Sequence, residues 1–540
     1  MTDTFDYVIV GSGINSLCCA ALLAKKGHSV CVLERNSVFG GCIKTDELTL
    51  PGFRHDVLSG FHPLFVTSPS YAELGEDLHK HGLEYVNTHK PTASITSANA
   101  VSILTMSRQE NIDNFNKLTE GDGDRYAQTM SEMEADAEFT FALLGSELIR
   151  LKTLVLFFKE LRKRKLNGML NFFGEAMSSS RDWLTQKFDS QGIQALLAPW
   201  ILHTGLGPEA TFSGAMNRVI AFSLEAAGMP IVKGGSDNLV RAFVGLIESH
   251  GGVLMTRSNV SKLIVSNGVA KGVVVSTAES GNSSTDETVE RDKRIYANNA
   301  VICNVTPNQL YENLLDRQWV PKKIRQETSN YQYGRAGMQI HLALDCPPQW
   351  VEETLSDVAM IHFTDGIDAV SKAVNQAERG LLPEQATIVV AQPTALDPSR
   401  APQGKSILWI QLQELPSVIK GDAANAISIP EDGGWTSEVR EAYADRIVKR
   451  LTEYIPNLSS TILSRKVLSP ADLEMANINL VGGDPYSGHC GMQQFFAWRP
   501  LKSLRNHETT VKNLYHIGAS THPGPGLGGN SGYMVAKHLG

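Results

Sequence analysis

The residues nearest the start of the sequence that could do chemistry are Gly11, Gly13, Ser16 and Glu34. Gly11 permits a tight turn, and Gly13 lets the backbone approach a pyrophosphate at the N-terminus of a following helix. Ser16 stands where glycine or alanine is usual, and it is still small enough for close packing of a helix on a strand. Glu34 follows the turn by about twenty residues, where a carboxylate accepts hydrogen bonds from both ribose hydroxyls. Together these residues predict dinucleotide binding.

Two further glycine-rich segments, far apart in the sequence, indicate which dinucleotide binds. Gly40-Gly41 follows the ribose-binding acid closely, so its loop can run beside a pyrophosphate and a ribityl chain. Residues 514–539 repeat the order of strand, glycine-rich turn and helix. A long cofactor that is touched by both ends of a chain is more typical of FAD than of NAD. We therefore expect FAD.

Few polar residues are placed to act on a substrate. The candidates for catalysis are His55 in PGFRHD, and Tyr486 and His489 in GGDPYSGHC, which shortly precedes the C-terminal glycine-rich tail. For each of them a structural hydrogen bond is the alternative interpretation. The sequence has no paired carboxylates, no G-x-S-x-G motif and no metal-ligand cluster, so we predict no metal. A flavin performs hydride or electron transfer itself and leaves little for side chains to reveal.

The elements that must position these residues follow from hydrophobic patterning. An apolar, β-branched run at 7–10 predicts a buried parallel strand, followed by a helix and a second strand over 29–33. Residues 230–275 predict a turn, a helix, a strand and a hairpin whose two-residue turn is Asn267-Gly268. Alternating apolar residues predict further strands, which cover 338–345 and 406–413.

The fold class we predict is α/β, with a discontinuous Rossmann-like FAD-binding domain, an α+β substrate domain with a mixed sheet, and a helical lid. A chain of 540 residues is too long for one simple core. The predicted ranges are 1–90, 225–310 and 485–540 for the FAD-binding domain, 91–224 for the lid and substrate region, and 311–484 for the substrate domain.

The sequence resembles the phytoene desaturase-type FAD-dependent oxidoreductases, especially their dehydrogenase-like branch, whose fold is related to that of the amine oxidases. The resemblance runs almost from end to end, and its motifs occur in the family's order. They are GSGINSL with Glu34, and the segments at 40–56, 234–243, 380–390, 395–411, 482–500 and 518–529.

The resemblance implies a backbone contact to adenine near Val260 and a C-terminal tail that closes over the flavin ring. A helix N-terminus there would raise the electron affinity of the flavin near N1. Many relatives carry an aspartate where this chain has Ala519 and an arginine where it has Cys42, so those contacts are made otherwise or lost. The predicted FAD-binding residues are Gly11, Ser12, Gly13, Asn15, Ser16, Glu34, Arg35, Gly40, Gly41, Thr45, Val260, Gly518, Ala519, Gly526, Leu527 and Gly528.

For function, the resemblance implies a desaturase or dehydrogenase that moves a hydride between flavin N5 and an apolar, isoprenoid- or acyl-like substrate. Oxygen or a quinone would accept the electrons. Two alternatives stay open: a flavin-dependent isomerase without net redox turnover, and a non-enzymatic escort-type protein that binds prenyl lipids. A pyridine nucleotide-disulfide reductase is disfavoured, because the sequence has one dinucleotide fingerprint and no C-x-x-x-x-C pair.

Composition sets further limits. A formal net charge of −8 argues against a nucleic-acid partner. Seven cysteines without a C-x-x-C pair indicate neither a disulfide framework nor a zinc site, so a reducing compartment is the simplest inference. We expect no signal peptide, because the first strand begins within the first ten residues, and no membrane-spanning segment. These expectations place the protein in the cytoplasm and leave its oligomeric state open.

One segment could contact a membrane. Residues 151–173 combine apolar side chains with the basic cluster RKRK at 162–165. A basic amphipathic helix can lie in a membrane interface, where an apolar substrate would enter the protein. An ordinary lid helix with a solvated face is the alternative.

Overall fold

The structure, a computed structural model, describes residues 3–278 and 290–540. Parts of the predicted FAD-binding ranges, residues 1–2 and 279–289, lie outside the described residues. The described residues form two large sheets of seven strands each, with helices packed against them. This arrangement confirms the predicted α/β class.

The strands of the described residues are numbered in chain order. They are β1 Asp3–Val10, β2 Val30–Leu33, β3 Thr45–Asp46, β4 His55–Asp56, β5 Tyr85–Val86, β6 Thr92–Ile95, β7 Val101–Leu104, β8 Ile231–Val232, β9 Val253–Met255, β10 Asn259–Ser266, β11 Val269–Ala278, β12 Glu290–Asn304, β13 Ala336–Leu344, β14 Met360–Phe363, β15 Leu381–Leu382, β16 Ile388–Ala391, β17 Ser406–Leu415, β18 Gly421–Asp422, β19 Ile462–Leu468 and β20 Leu514–Ile517.

The α-helices of the described residues are numbered in the same way. They are α1 Ile14–Lys25, α2 Pro63–Val66, α3 Pro69–Lys80, α4 Arg108–Leu118, α5 Asp122–Gly145, α6 Leu151–Ala176, α7 Ser180–Lys187, α8 Gln191–Leu197, α9 Ser213–Ala227, α10 Asp237–Ser249, α11 Lys322–Ser329, α12 Ile367–Glu378, α13 Pro393–Leu396, α14 Ser437–Leu451, α15 Leu458–Thr461, α16 Pro470–Ala476 and α17 Asn530–Leu539.

The first sheet brings the two ends of the chain together. Its strands lie in the order β10-β11-β12-β1-β2-β9, and β20 pairs with the last residues of β12. The pairs β12–β1, β1–β2, β2–β9 and β12–β20 are parallel, so the turns that follow these strands lie at one edge of the sheet. Residues 7–10 are buried within this sheet, as their unbroken apolar run predicts.

The hairpin predicted at Asn267-Gly268 joins β10 to β11. Asn267 has φ 51° and Gly268 has φ 73°, both in the left-handed region. A two-residue turn that follows the right-handed twist of its strands needs this backbone conformation, and asparagine and glycine adopt it most easily. The local sequence therefore predicted this element correctly.

The second sheet has the strand order β19-β13-β17-β16-β14-β6-β7. The strands predicted at 338–345 and 406–413 are β13 and β17, and they pair antiparallel. Two strands of the predicted lid range, β6 and β7, extend this sheet, and β6 pairs in parallel with β14. The sheet thus takes strands from two of the predicted ranges, while the domain boundaries themselves stay a prediction.

The helices α4, α5, α7, α8 and α9 cover one face of the second sheet, and α6 packs against α5 and α9. Their shared core includes Phe115, Tyr126 and Leu184, and it is continuous with Trp409 on the sheet. Within α6 the backbone leaves the helical region at Lys165, where φ is 58°, so the helix has two segments. None of the helices among the described residues combines the length and the apolar character that crossing a bilayer requires.

Candidate active site

A single large cavity runs from the parallel edge of the first sheet to the inner face of the second. Its volume is about 1050 Å³. Ligand pockets usually occupy about 300–1,000 Å³, so this cavity is large enough to hold more than one ligand. One part is lined by glycine-rich turns, and another by apolar side chains such as Phe61, Met216 and Ile220.

The N-terminal glycine turn packs with almost no spare room. A Cβ atom on Gly41 would lie 3.2 Å from Cα of Gly13, and Gly13 and Gly40 form a parallel bridge. Gly11 has φ 84°, a conformation that L side chains rarely adopt. The N-cap of α1 is Gly13, and no side chain accepts a hydrogen bond from the first turn of the helix. Its free N–H groups therefore face the cavity and suit a phosphate.

Glu34 lies at the end of β2, and its carboxylate organises the same turn. Its Oε2 accepts hydrogen bonds from Ser12, at 3.1 Å from the backbone N and 2.6 Å from Oγ. Its Oε1 accepts one from the backbone N–H of Asn36 at 2.8 Å. Gly40 N–H in turn donates to Ser12 Oγ at 3.1 Å. Glu34, the predicted ribose-binding acid, and both glycine loops thus share one network.

The C-terminal tail supplies a second helix N-terminus. β20 ends at Ile517, the tail runs along the cavity, and α17 begins at Asn530 with Gly529 as its N-cap. Its N-cap has no side chain, and of its first-turn N–H groups that of Gly532 donates to Asn15 Oδ1 at 3.3 Å. Two helix N-termini from opposite parts of the chain therefore line one cavity. This is the arrangement that a pyrophosphate and an electron-rich flavin ring require, so the residues present fit an FAD.

Arg499 holds the tail in place, and sequence reasoning missed it. The guanidinium is buried and donates to Ala519 O through Nε at 2.9 Å and through Nη2 at 2.7 Å. The same Nη2 donates to Tyr486 O at 2.8 Å. The planar fork of arginine is suited to such a pair of carbonyls. The only signal in the sequence was the position of Arg499 in the 482–500 motif.

Most of the predicted FAD-binding residues line the cavity. They are Gly11, Ser12, Gly13, Asn15, Glu34, Arg35, Gly40, Gly41, Val260, Ala519, Gly526, Leu527 and Gly528.

Three predicted FAD-binding residues lie behind this lining and support it. Ser16 Oγ accepts a hydrogen bond from Asn304 Nδ2 at 3.0 Å, and Gly518 N–H donates to Ser531 Oγ at 2.9 Å. Thr45 donates to Asp56 at 2.7 Å. Asn304, which ends β12 and lines the cavity, was missed by sequence reasoning, although the end of a parallel strand is a usual place for binding residues. All FAD contacts stay predictions.

Of the three catalytic candidates, Tyr486 lines the cavity. Its hydroxyl donates to Leu202 O at 2.5 Å and accepts from Gln413 Nε2 at 3.1 Å. Burial raises the pKa of this hydroxyl far above its ordinary value, so it stays protonated. Tyr486 can therefore position neighbouring groups but does not release its proton at neutral pH.

The two histidine candidates lie outside the cavity lining. His55 is buried, its Nε2 is 2.8 Å from Thr49 Oγ1, and burial lowers its pKa to about 4. His489 is half-buried, and its Nδ1 accepts from Gly491 N–H at 3.0 Å. Burial lowers the pKa of His489 as well. The contacts of both side chains are structural, and their catalytic roles stay predictions.

The PGFRHD motif contributes a buried charge cluster. Arg400 is fully buried and donates to Asp56 at 2.9 Å and to Asp397 at 3.1 Å. Asp56 also accepts from Ser236 N–H at 2.8 Å, and Asp397 accepts from Gly234 N–H at 2.6 Å. This cluster connects the β3–β4 hairpin and the turn before α10 to the segment between β16 and β17 of the second sheet. It therefore fixes how the two sheets meet.

Comparisons with known proteins agree with this geometry. A model of the NAD(P)-binding Rossmann-like domain matches residues 9–88. Pyridine nucleotide-disulfide oxidoreductase domain-containing protein 2 of Rattus norvegicus is 25% identical, with 98% of this chain and 92% of that protein covered. One of the subunits of limonene dehydrogenase from Castellaniella defragrans is 23% identical, with 98% and 94% covered. A 4,4'-diapophytoene desaturase of Methylomonas sp. is 22% identical, with 98% and 93% covered.

The chain is an oxidoreductase related to the phytoene desaturases. Solved structures support the same fold for this oxidoreductase. An oxidoreductase from Methanosarcina mazei has a TM-score of 0.60 at 16% identity and covers 98% of this chain and 99% of its own. A triple mutant of putrescine oxidase has a TM-score of 0.60 at 16% identity, with 100% and 99% covered. At this identity the likeness is one of fold.

The name of the rat protein mentions disulfide chemistry, but no two cysteines of this oxidoreductase form a disulfide. All seven cysteines lie in the described residues, and each is a free thiol. Burial raises the pKa of Cys18 to about 12 and that of Cys42 to about 11. Thiols in such surroundings stay protonated and are poor nucleophiles.

Proposed function

We propose that this oxidoreductase binds FAD and moves a hydride between flavin N5 and an apolar substrate of isoprenoid or acyl type. One observation carries the proposal: the N-termini of two helices, α1 and α17, line the same cavity from opposite parts of the chain. The apolar remainder of that cavity has room for an elongated second ligand.

The chain's own residues have distinct parts in this proposal. The N-terminus of α1 with Gly13 and Gly41 would bind the pyrophosphate, and Glu34 the adenosine ribose. The N-terminus of α17 would stabilise negative charge on the reduced ring. When bound, the flavin supplies the hydride chemistry at N5. Phe61 and Trp409, which lie in the apolar part of the cavity, would hold the substrate and exclude water.

The names of two relatives support an apolar substrate class. A limonene dehydrogenase subunit and a diapophytoene desaturase each match this chain over nearly its full length. Ionised side chains are rare in the cavity: among the described residues that line it, they are Glu34 and Arg35, at the predicted adenosine end. An uncharged wall favours an uncharged ligand, because an unpaired buried charge is strongly destabilised.

The test is spectroscopic. The purified protein should be yellow, release FAD on denaturation, and lose its flavin absorption when an apolar isoprenoid substrate is added without oxygen. Reoxidation by oxygen or by a quinone would then identify the electron acceptor. A colourless protein that cannot be reconstituted with FAD contradicts the proposal and favours an escort-type binding protein. A product isomer formed by reduced enzyme without net oxidation favours the isomerase.

We also propose that α6 rests on a membrane surface. Its first segment exposes the apolar side chains Leu151, Leu154, Val155 and Phe158 in helical spacing, and Leu151 is 78% and Phe158 61% exposed. Arg162, Lys163 and Lys165 of the basic cluster are exposed and would meet anionic headgroups, whereas Arg164 pairs with Asp136 and Glu160. The preceding helix, α5, lines the cavity with Leu144, so an apolar substrate would have a short path from the bilayer.

A further inference from the structure

A buried cation lies directly behind the C-terminal part of the cavity. Arg499 is 3% exposed and does not itself line the cavity. Its guanidinium donates to the carbonyls of Tyr486 and Ala519, and its Cζ lies 5.9 Å from the ring centroid of Phe495. Tyr486, Phe495 and Ala519 all line the cavity. One layer of residues therefore separates this positive charge from the cavity.

The charge of Arg499 has no carboxylate partner among the described residues. Its other hydrogen bonds go to the carbonyls of Gly488, at 3.5 Å, and of His489, at 3.3 Å. The fully buried Arg400, in contrast, pairs with two carboxylates. An arginine stays charged at neutral pH, and a buried charge is strongly destabilised unless an opposite charge meets it. Arg499 is thus a cation that can stabilise a negative charge placed in the cavity.

One buried acid lies in the same region, and the backbone engages it. The carboxylate of Asp484 accepts hydrogen bonds of 2.8 Å from the N–H groups of Gly334, Tyr486 and Gly488. Burial raises the pKa of Asp484 in spite of these bonds and of the nearby Arg499. This carboxyl group therefore interacts with backbone N–H groups rather than with the guanidinium.

Arg499 also fixes the direction of one peptide group of the tail. The carbonyl of Ala519 points at the guanidinium, which lies outside the cavity lining. Because a trans peptide is planar, the N–H of Ser520 points the opposite way from this carbonyl, away from Arg499. Ser520 lines the cavity, and its N–H has no hydrogen-bond partner among the described residues. The tail thus offers a free donor in front of the buried cation.

We propose that Arg499 is a positioning residue whose charge raises the electron affinity of the bound flavin. A reduced flavin carries negative charge near N1. A fixed cation in a site that excludes water stabilises such a charge far more than it would in bulk water. Arg499 acts through the tail, where it holds Ala519 and orients the N–H of Ser520. The inference rests on the FAD binding of the proposed function and adds a residue that sets how readily this oxidoreductase accepts a hydride.

The experiment measures the two-electron reduction potential of bound FAD in the purified holoprotein at neutral pH, against a reference dye and without substrate. Arg499→Gln removes the charge and keeps an amide that can donate hydrogen bonds. Arg499→Lys keeps the charge and loses the planar fork. Arg325→Gln is the matched control, because this guanidinium also donates to backbone carbonyls, those of Arg317 and Val320, and lies outside the cavity lining.

Arg499→Gln should shift the equilibrium constant for reduction at least about tenfold towards oxidised FAD, which lowers the potential of this two-electron couple by about 30 mV. Arg499→Lys should keep most of the wild-type potential, and Arg325→Gln should keep all of it. An unchanged potential in Arg499→Gln overturns the inference. So does an Arg499→Lys protein whose potential is as low as that of Arg499→Gln, since the charge would then have no effect of its own.

The inference stays testable if Arg499→Gln does not fold or does not retain FAD. The wild-type protein should then have a potential above that of free FAD measured with the same dye, and Arg499→Lys should lie close to the wild type. A wild-type potential below that of free FAD overturns the inference, and so does a tenfold shift towards oxidised FAD in Arg499→Lys.

These outcomes separate the inference from the proposed function, because the potential is measured without substrate. An FAD-loaded protein whose potential depends on the charge of Arg499, but whose flavin no apolar substrate reduces, contradicts the proposed substrate alone. A protein whose flavin such a substrate reduces, and whose potential is the same in Arg499→Gln, contradicts the further inference alone. A colourless protein that cannot be reconstituted with FAD contradicts both.

Discussion

The hydroxyl of Ser531 donates a hydrogen bond of 2.8 Å to Oδ1 of Asn15, although 516 residues separate the two in sequence. Gly532 N–H donates to the same oxygen at 3.3 Å. Asn15 lies in the first turn of α1, and Ser531 and Gly532 lie in the first turn of α17. One side-chain carbonyl thus fixes the relative position of the two helix N-termini that line the cavity.

Gly532→Ala should loosen this junction. A Cβ atom there would lie 1.8 Å from Asn15 O, so α1 and α17 must move apart. We expect a loss of about 1–3 kcal/mol in the free energy of unfolding, and faster release of FAD. Thermal unfolding followed by flavin fluorescence measures both. Gly174→Ala is the control, because its Cβ meets nothing within 4 Å in α6. Equal melting temperatures for the two variants would show that the contact is not tight.

Glu34→Ala should weaken FAD retention by removing the predicted ribose acceptor. Hydrogen bonds to a charged group contribute about 1.5–3 kcal/mol, which corresponds to a Kd for FAD about tenfold to a hundredfold higher. Titration of apoprotein with FAD gives the value. Glu47→Ala, which changes an exposed carboxylate of the same region, should bind FAD as the wild type does. If Glu34→Ala also retains wild-type affinity, the assignment of Glu34 is wrong.

Arg400→Met should destabilise the protein strongly, because Asp56 and Asp397 would keep buried charges without their cation. Breaking such a buried pair costs about 3–5 kcal/mol. Lys405→Met removes an exposed cation that pairs with Asp345, and it should cost no more than about 1 kcal/mol. Urea unfolding of both variants measures the difference, and similar midpoints would argue against a structural role for the cluster.

Stability should fall in mild acid. Burial lowers the pKa of His55, His62 and His516 to about 4. An unfolded chain binds protons at these histidines near pH 6.5, whereas the folded protein does not until the pH approaches 4. Stability is therefore complete above about pH 6.5 and decreases as the pH falls towards 4, by up to about 1.4 kcal/mol per pH unit for each histidine. Urea midpoints at a series of pH values test this, and a flat profile between about 6.5 and 4.5 would refute it.

Replacing Leu154 and Phe158 together by serine should reduce membrane binding without unfolding the protein, because both side chains are exposed. Flotation with vesicles of equimolar phosphatidylcholine and phosphatidylserine measures the bound fraction. Leu118→Ser, at an exposed leucine that ends α4, should bind as the wild type does. Absence of the wild-type protein from the lipid fraction would count against a membrane surface on α6.

The sequence by itself determined the elements whose requirements are local. Asn267-Gly268 specified its turn because few residues accept positive φ. The apolar run at 7–10 specified a buried parallel strand, and the alternation at 406–413 specified a strand with two different faces. The glycine turn could be predicted for the same reason, because Gly11 adopts a positive φ. The binding role of Glu34 stays a prediction.

Only the tertiary structure decided which of these elements meet. β6 and β7 look like the opening of a separate region in sequence, yet they complete the second sheet, because β6 pairs with β14 and β7 pairs with β6. The role of Arg499 became visible only through its contacts with Tyr486 and Ala519. Residue type and spacing tell which face of a strand is buried, but not which partner covers it. That choice depends on how the whole chain packs.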